Sequence, residues 1–201
     1  MKPARRTQAE RSEATRLALV DAGRELFAGR GYGHVGADEI ARAAGVTRGA
    51  LYHHFKDKTE LFQAVYEAVE TEVIEAIAEG IAAAPDADPI ARMRLGTRLW
   101  LEACGDPAVR QVALVDAPAV LGVTRWREIS TRYGLGLTEG MLTQALESGL
   151  IASQPIRPLA HVLLGALREA SLYLAGADDT EHAREEVTGV MDRLILSLRT
   201  A

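Results

Sequence analysis

The spacing of apolar side chains constrains this fold more than any other feature of the sequence. Across residues 15–28 and 59–83, apolar residues recur every three or four positions, which places them on one face of a helix. The same spacing predicts five further helices, over residues 89–104, 107–116, 124–148, 158–176 and 180–199. No segment shows the sustained alternation of a β-strand, so the sequence predicts an all-α fold.

Two short helices are predicted between the first two long ones. The first lies in "ADEIARAAG", where Asp38 and Glu39 suit the positive end of a helix and Gly45 ends it. Thr47 is a good N-cap for the second, over residues 48–54. Two short helices joined by a tight glycine-containing turn, packed on a preceding helix, are typical of a helix-turn-helix.

Composition excludes several classes of protein. The 201 residues include no run of eighteen apolar positions, and the basic start is not followed by the apolar segment of a secretory signal. The single cysteine, Cys104, cannot form an internal disulfide, and no Cys/His cluster suggests a metal site. The sequence therefore predicts a cytoplasmic protein that needs no metal or cofactor and crosses no membrane.

The net charge of −5 hides an asymmetry along the chain. Residues 1–58 hold eleven Lys/Arg and seven Asp/Glu, whereas residues 59–201 hold twelve and twenty-one. A basic N-terminal quarter on an acidic body favours a polyanionic partner for the first part only. Charge alone would be explained equally well by an uneven, solvated surface.

The helix over 48–54 carries small and polar residues on the side away from its apolar positions. A helix that enters the major groove of DNA needs small residues at its leading end, and Gly49 and Ala50 supply them, while Arg48 can reach guanine or phosphate. Further candidates for contacts with phosphate or a thymine methyl group are Tyr52, His53, His54 and Lys58. The alternative is a Gly-Ala pair that marks close helix packing, beside histidines that are merely solvated.

Residues 19–65, "LVDAGRELFAGRGYGHVGADEIARAAGVTRGALYHHFKDKTELFQAV", strongly resemble the DNA-binding domain of TetR-family (TetR/AcrR-like) transcriptional regulators. The matching features are Leu26-Phe27, Gly31-Tyr32, Ile40-Ala41, Ala44-Gly45-Val46, Leu51-Tyr52-His53-His54-Phe55 and Lys58. The resemblance implies that helix 48–54 is the recognition helix and that Leu51 and Phe55 belong to the core. The DNA-binding residues it implies are Thr47, Arg48, Gly49, Ala50, Tyr52, His53, His54 and Lys58.

One segment departs from the family pattern. Such regulators usually open the second helix with threonine or serine, but this chain has Gly36-Ala37-Asp38, which lacks the hydroxyl and places a carboxylate near phosphate. A flexible basic arm over residues 1–14 could compensate by following the DNA backbone or a minor groove, or it could equally make no contact. Its cationic residues are Lys2, Arg5, Arg6 and Arg11.

The resemblance also implies a division of the chain. Residues 15–58 are expected to form the helix-turn-helix domain, 59–83 a connecting helix, and 84–201 a helical domain that binds a small effector and dimerises. The segment "AAAPDADP" marks the boundary, and "DAPAVLG", residues 116–122, is read as a connection between helices.

Dimerisation is expected on physical grounds as well. A palindromic operator presents two half-sites about 34 Å apart, so a monomer would read it weakly. The last two helices are apolar enough to form a four-helix bundle with a second copy, although they could instead be buried within their own subunit. The predicted interface residues are Gly165, Ala166, Ala170, Tyr173, Val187, Met191, Leu194 and Leu198.

The effector pocket is less clearly marked. Aromatic and sulfur-containing residues of the C-terminal helices can line an apolar cavity, although each could equally be plain core. The candidates are Met93, Trp100, Cys104, Trp126, Tyr133, Met141 and Tyr173. Arg94 and Arg98, one turn apart, could meet an anionic group or be solvated, and the ligand is expected to be small and mostly apolar.

Together these patterns predict a dimeric DNA-binding regulator, a repressor rather than an activator, that a small effector releases from a palindromic operator. No GxSxG, P-loop or HExxH motif is present, so an enzyme is not expected. The alternative is a ligand-independent DNA-binding regulator whose C-terminal domain serves only dimerisation or protein partners.

Overall fold

The structure is a computed structural model that describes residues 7–200. Those residues form nine α-helices, a 3₁₀ turn at Tyr32–His34 and a π-helix at Val109–Asp116. The α-helices are α1 Gln8–Arg30, α2 Ala37–Ala43, α3 Arg48–His54, α4 Lys58–Ala82, α5 Pro89–Ala103, α6 Ala117–Leu121, α7 Val123–Glu147, α8 Ile156–Ala175 and α9 Thr180–Leu196. The described part has no β-strand beyond one isolated bridge, which confirms the predicted all-α fold.

The first helix begins earlier than the apolar pattern indicated. The Glu10 N–H donates to the Thr7 hydroxyl (3.2 Å) and the Thr7 N–H donates to the Glu10 carboxylate (2.6 Å), a capping box that starts α1 at Gln8. The prediction of a flexible arm is therefore wrong for residues 8–14, where Arg11 is an exposed helical residue. The other cationic residues of that arm, Lys2, Arg5 and Arg6, lie outside the described residues.

The first three helices pack around one apolar core together with the start of α4. Its buried side chains include Leu19, Phe27, Ile40, Leu51, Phe55 and Phe62. The turn between α2 and α3 is made at Gly45, whose φ of 69° favours glycine, and the Val46 N–H donates to the Ala41 carbonyl (2.9 Å). This turn sets α3 at a fixed angle across α2 and leaves its outer side accessible.

The α4 helix belongs to both halves of the molecule. Its N-terminal half contributes Leu61 and Val65 to the first core, and its C-terminal half contributes Ile77 and Ile81 to a second core formed with α5, α7, α8 and α9. With 25 residues, α4 is roughly 37 Å long. A single rigid element therefore connects the helix-turn-helix to the C-terminal helices.

The segment predicted as an α-helix over 107–116 is mostly a π-helix, with the wider i→i+5 turn. The π-helix packs against α1, α4 and α8 and buries four of its residues, among them Val112 and Leu114. The predicted connection over 116–122 is also wrong, because Ala117–Leu121 is α6. Pro118 is in the first turn of α6, where the missing N–H removes no helical hydrogen bond.

Candidate DNA-binding surface and effector cavity

The α3 helix has one buried and one accessible side. Leu51 is fully buried and the Thr47 hydroxyl caps the helix by accepting from the Ala50 N–H (3.2 Å). A Cβ added at Gly49 would meet nothing within 4 Å except that Thr47 hydroxyl oxygen, at 3.8 Å. The α3 residues exposed to solvent are Arg48, Gly49, Tyr52 and His53, with Ala50 and His54 half-buried.

Arg48 is held by its own neighbours. Its Nη1 donates to Oδ2 of Asp38 in the first turn of α2 (2.9 Å), and its guanidinium carbon lies 5.5 Å from the centroid of the Tyr52 ring. Both members of the ion pair are largely exposed, and such pairs contribute at most about 1 kcal/mol. A phosphate or a guanine base can therefore replace Asp38 as the partner of Arg48.

Lys58 lies differently from the other predicted DNA-binding residues. Its ammonium donates to the carbonyl oxygens of Tyr32 (2.9 Å) and Val35 (3.0 Å) and lies 3.8 Å from the centroid of the Tyr32 ring. These contacts tie the start of α4 to the 3₁₀ turn. Two of its three N–H groups are used inside the protein, so a phosphate could receive only the third.

A cavity of about 100 Å³ lies between α4, α5, α7, α8 and α9. Its lining is mostly apolar and includes both tryptophans of the chain, Trp100 and Trp126. The Trp100 indole N–H donates to the Ser171 hydroxyl (2.7 Å) and the Trp126 indole N–H donates to the Ala113 carbonyl (3.0 Å). Both indoles therefore have their hydrogen bonds satisfied by the protein and offer the cavity an apolar surface.

Two charged side chains also line this cavity. Glu70 of α4 is only 3% exposed, and burial raises the pKa of its carboxyl to about 7, although the Tyr66 hydroxyl and the Arg168 charge oppose the shift. Arg168 of α8 donates from Nη2 to the Thr131 hydroxyl (3.2 Å), and burial lowers the pKa of its guanidinium. A carboxyl group and a guanidinium group therefore line the same apolar cavity.

The outer side of α8 and α9 exposes large apolar side chains. Val162 and Tyr173 on α8 are 64% and 58% exposed, and Val190 on α9 is 54% exposed. We define the α8–α9 face as Val162, Ala166, Tyr173, Val190 and Leu194, which recur at helical spacing along the two helices. Exposed apolar side chains at helical spacing are typical of an interaction surface.

Comparison with known proteins identifies the family. Residues 19–65 match the model of bacterial regulatory proteins of the tetR family, and residues 90–198, more than half of the chain, match the tetracyclin repressor-like C-terminal domain. The chain is also 30% identical to a TetR-family transcriptional regulator from Pectobacterium atrosepticum, with a TM-score of 0.83 and coverage of 98% of this chain and 99% of that one. The chain belongs to the TetR family.

Other relatives match more locally. AcrR, a transcriptional regulator of Shigella flexneri, is 43% identical over 91 residues, 45% of this chain and 41% of AcrR. The chain thus spans less than half the length of the curated relatives it matches. RolR, whose structure was solved with resorcinol, has a TM-score of 0.73 over 93% of this chain and 90% of RolR, but its 23% identity shows the shared fold alone.

Membership of the TetR family confirms the central predictions made from the sequence. The protein is a DNA-binding transcriptional regulator, not an enzyme, with a helix-turn-helix domain followed by a helical C-terminal domain.

In the part of the chain that the structure describes, no helix is both long and apolar enough to span a membrane. Residues 7–200 contain no group of three or more His, Cys, Asp or Glu placed to bind a metal ion.

The predicted pocket residues divide into two groups. Met93, Trp100, Trp126 and Met141 line the cavity. The prediction is wrong for the other three as lining residues, because they point elsewhere. Cys104 is buried beside α9, Tyr133 packs against the core of the DNA-binding domain, and Tyr173 is exposed on the α8–α9 face.

The predicted interface residues need one correction. Met191 is 4% exposed and lines the cavity, so it is not part of the exposed face. Tyr173 and Leu194 are exposed as expected, whereas the rest of the set is half-buried, namely Gly165, Ala166, Ala170, Val187 and Leu198. Val162 and Val190, which were not predicted, are more exposed than Leu194.

The sequence contained a signal for the charged cavity residues that the prediction missed. Glu70 interrupts the apolar stripe of α4, four residues after Tyr66 and three before Val73. Arg168, followed by Glu169, interrupts the mostly apolar run "VLLGALREASLYL" in α8. A charged residue at a core position of a helix is a sign of a functional cavity, since burial of an unpaired charge is costly. Arg94 and Arg98, for which the sequence left open an anionic partner or a solvated face, both contact the Asp192 carboxylate of α9, at 2.6 Å and 3.5 Å.

Proposed function

We propose that this TetR-family protein is a repressor that binds a palindromic operator as a homodimer and that a small molecule in the α4–α9 cavity releases it. The observation that carries the proposal is the juxtaposition of an accessible recognition helix with a cavity joined to it by α4. A regulator of this kind acts where bacterial DNA lies, in the cytoplasm.

DNA reading is assigned to the outer side of α3. Arg48, Tyr52 and His53 are exposed there, and Gly49 leaves room for close approach to base edges. Thr47, Ala50 and His54 lie at the margins of the same side, where backbone phosphates would pass. Lys58 has one N–H left to donate to a phosphate, so we assign it a smaller contribution to DNA binding than the α3 residues.

Assembly as a dimer is assigned to the α8–α9 face. An isologous contact across a two-fold axis would pair this face with its own copy and form a four-helix bundle. Two linked recognition helices could then occupy half-sites about 34 Å apart.

Release is assigned to two mechanical connections between the cavity and the DNA-binding domain. The first is α4, which lines the cavity through Glu70, Ile74 and Ile77. The second is the π-helix, whose Leu114 lines the cavity and whose Asp116 carboxylate accepts from the Tyr32 N–H (2.7 Å) at the end of α1. A ligand that displaces either element changes the distance between the two recognition helices and weakens operator binding.

The ligand-independent alternative would be supported by a fully packed C-terminal core. The cavity and its two charged side chains favour an effector instead. The related fold of RolR was solved both with resorcinol and without ligand, which shows that a small ring compound can occupy a protein of this fold.

The proposal is tested by selecting bound sequences from a random DNA pool at two salt concentrations. We expect a palindromic consensus whose affinity falls as salt rises, because phosphate contacts release counterions. Sequence-blind enrichment at both salt concentrations, with or without small molecules, would contradict it. Arg48→Ala should then cost about 1–3 kcal/mol and relax the preference at one base pair. Arg132→Ala, an equal charge change at an exposed α7 position, should leave that preference intact.

A further inference from the structure

The chemistry of the cavity indicates what class of effector it takes. Glu70 is almost completely buried, and among the described residues no cation lies within 4.0 Å of its carboxylate. The Tyr66 hydroxyl and the charge of Arg168 act on it, but neither gives it the set of donors that a buried carboxylate requires. Its carboxylate therefore has hydrogen-bonding capacity to offer a molecule in the cavity.

Arg168 is similarly incomplete. Its Nε is buried and has no hydrogen-bond partner among the described residues, and its guanidinium carbon lies 5.6 Å from the centroid of the Trp126 ring. A buried N–H without an acceptor is destabilising, so an acceptor supplied by a ligand would be favourable. The exposed cationic side chain of Arg127 also repels the Arg168 charge and does not supply that acceptor.

The balance of charges selects an uncharged ligand. A cation would be repelled by Arg168, and an anion would be repelled by Glu70 at a pH above about 7, where its carboxyl is ionised. Either ion would also lose its hydration on entering an apolar cavity. A hydroxyl group meets both side chains, since it donates to a carboxylate and accepts from a guanidinium. It also accepts from a protonated carboxyl, so it suits Glu70 in both of its protonation states.

The size and lining of the cavity indicate the size and polarity of the rest of the ligand, to which the hydroxyl group is attached. A volume of about 100 Å³ suits a single ring, and the faces of Trp100 and Trp126 with Met93 and Met141 suit an apolar one. We propose that the effector is a phenol, a small uncharged aromatic ring whose hydroxyl group hydrogen-bonds to Glu70 and Arg168. This inference rests on the proposed function only in naming the ligand an effector.

Binding can be measured without DNA, because both tryptophans of the chain line the cavity. The free protein is titrated at about pH 8, where the Glu70 carboxyl is mostly ionised, with phenol, toluene, benzoate and benzylammonium. Indole fluorescence and calorimetry are the readouts. We expect phenol to bind at least about tenfold more tightly than toluene, because a site built for a hydroxyl leaves polar groups unpaired without it. Both ions should bind more weakly than phenol.

Two variants test the charge balance directly. Glu70→Gln should lower phenol affinity and admit benzoate, because Arg168 is then the only charge in the cavity. Arg168→Met should admit benzylammonium, because Glu70 is then alone. Glu75→Gln makes the same chemical change at an exposed position of α4 and should leave all four affinities unchanged.

Several results would overturn the inference. Equal binding of toluene and phenol would show that Glu70 and Arg168 do not read the ligand, and tighter binding of either ion to the unmodified protein would show that the charge assignment is wrong. Absence of any indole or calorimetric response to the four compounds would also overturn it. None of these results depends on operator binding, so the inference can fail while the DNA-selection experiment succeeds, and the reverse.

Discussion

Among single residues, Asp38 stands in an unexpected relation to Arg48. The sequence predicts that a carboxylate at the start of α2 opposes phosphate binding, and in the structure this carboxylate pairs with Arg48 of α3. The pair orients Arg48 in the free protein. If Arg48 contacts DNA as proposed, the pair must break or rearrange, and Asp38 would compete with the operator for the same guanidinium.

Neutralising Asp38 should strengthen operator binding. Asp38→Asn removes the competing carboxylate and its repulsion of phosphate, with an expected gain of about two- to fivefold in affinity. Fluorescence anisotropy with a labelled operator measures this. Glu39→Gln is the matched control, because Glu39 carries the same charge on α2 but pairs with Arg30. A loss of affinity in Asp38→Asn would instead assign Asp38 the role of positioning Arg48 for DNA.

Glu70 should make stability depend on pH. Burial raises the pKa of its carboxyl from 4.5 to about 7, so between these values the folded protein keeps a proton that the unfolded chain releases. The free energy of unfolding should fall as pH rises through this window, by as much as about 3 kcal/mol.

Urea unfolding at pH 5 and pH 8, at fixed protein concentration, tests this dependence. Glu70→Gln stays neutral throughout, so it should lose less stability than the unmodified protein between the two pH values. Glu75→Gln, at an exposed position, should follow the unmodified protein. Parallel pH dependence of the Glu70→Gln variant and the unmodified protein would show that Glu70 ionises normally.

Among the helices, α3 combines a weak helix former with an accessible surface. Glycine in a helix is less favourable than alanine by about 0.5–1 kcal/mol. No contact within the protein requires a glycine at position 49, because a Cβ there would meet only the Thr47 hydroxyl oxygen, at 3.8 Å. The missing side chain leaves room for the close approach of DNA that the proposed function requires.

Gly49→Ala should separate stability from DNA binding. The variant should be as stable as the unmodified protein, or more so, while its operator affinity falls by about tenfold or more because the added methyl group blocks close approach. Unfolding and operator-binding measurements on the same preparation check both parts. Gly140→Ala, in an open and exposed position of α7, should gain stability without losing affinity. Unchanged operator affinity in Gly49→Ala would remove glycine from the recognition mechanism.

For the whole molecule, the proposed function makes the α8–α9 face responsible for holding two recognition helices together. Val162, Tyr173 and Val190 leave apolar area in solvent that a second copy would cover. In an isologous contact each substitution occurs twice, so its effect on assembly is doubled.

Val190→Glu should convert the dimer to monomers and sharply weaken operator binding. A charge buried in the centre of an apolar interface is costly, and two such charges face the same axis. Sedimentation velocity reports the assembly, and circular dichroism should show unchanged helix content. Val123→Glu, also an exposed valine, is the control and should remain dimeric. A Val190→Glu protein that stays dimeric would place the interface elsewhere.

Sequence alone determined the DNA-binding domain and most of the helices of this protein, although not α6 or the π-helix. Local causes are sufficient there, since apolar spacing, the Thr47 cap and the turn at Gly45 each depend on neighbouring residues. Helices α2 and α3 accordingly lie where the sequence predicted them. The start of α1 was missed because its first two turns are polar, although the Thr7 and Glu10 capping box was present in the sequence.

Only the tertiary structure decided which distant side chains meet. Glu70 of α4 and Arg168 of α8 line one cavity although they are far apart in the sequence. Asp38 of α2 pairs with Arg48 of α3. Met191 lines the cavity, whereas its neighbour Val190 is exposed to solvent. Adjacent helical residues point about 100° apart, so the exact rotation of each helix decides which becomes lining and which becomes interface. That rotation is set by packing against elements far away in the chain, and an apolar pattern cannot specify it.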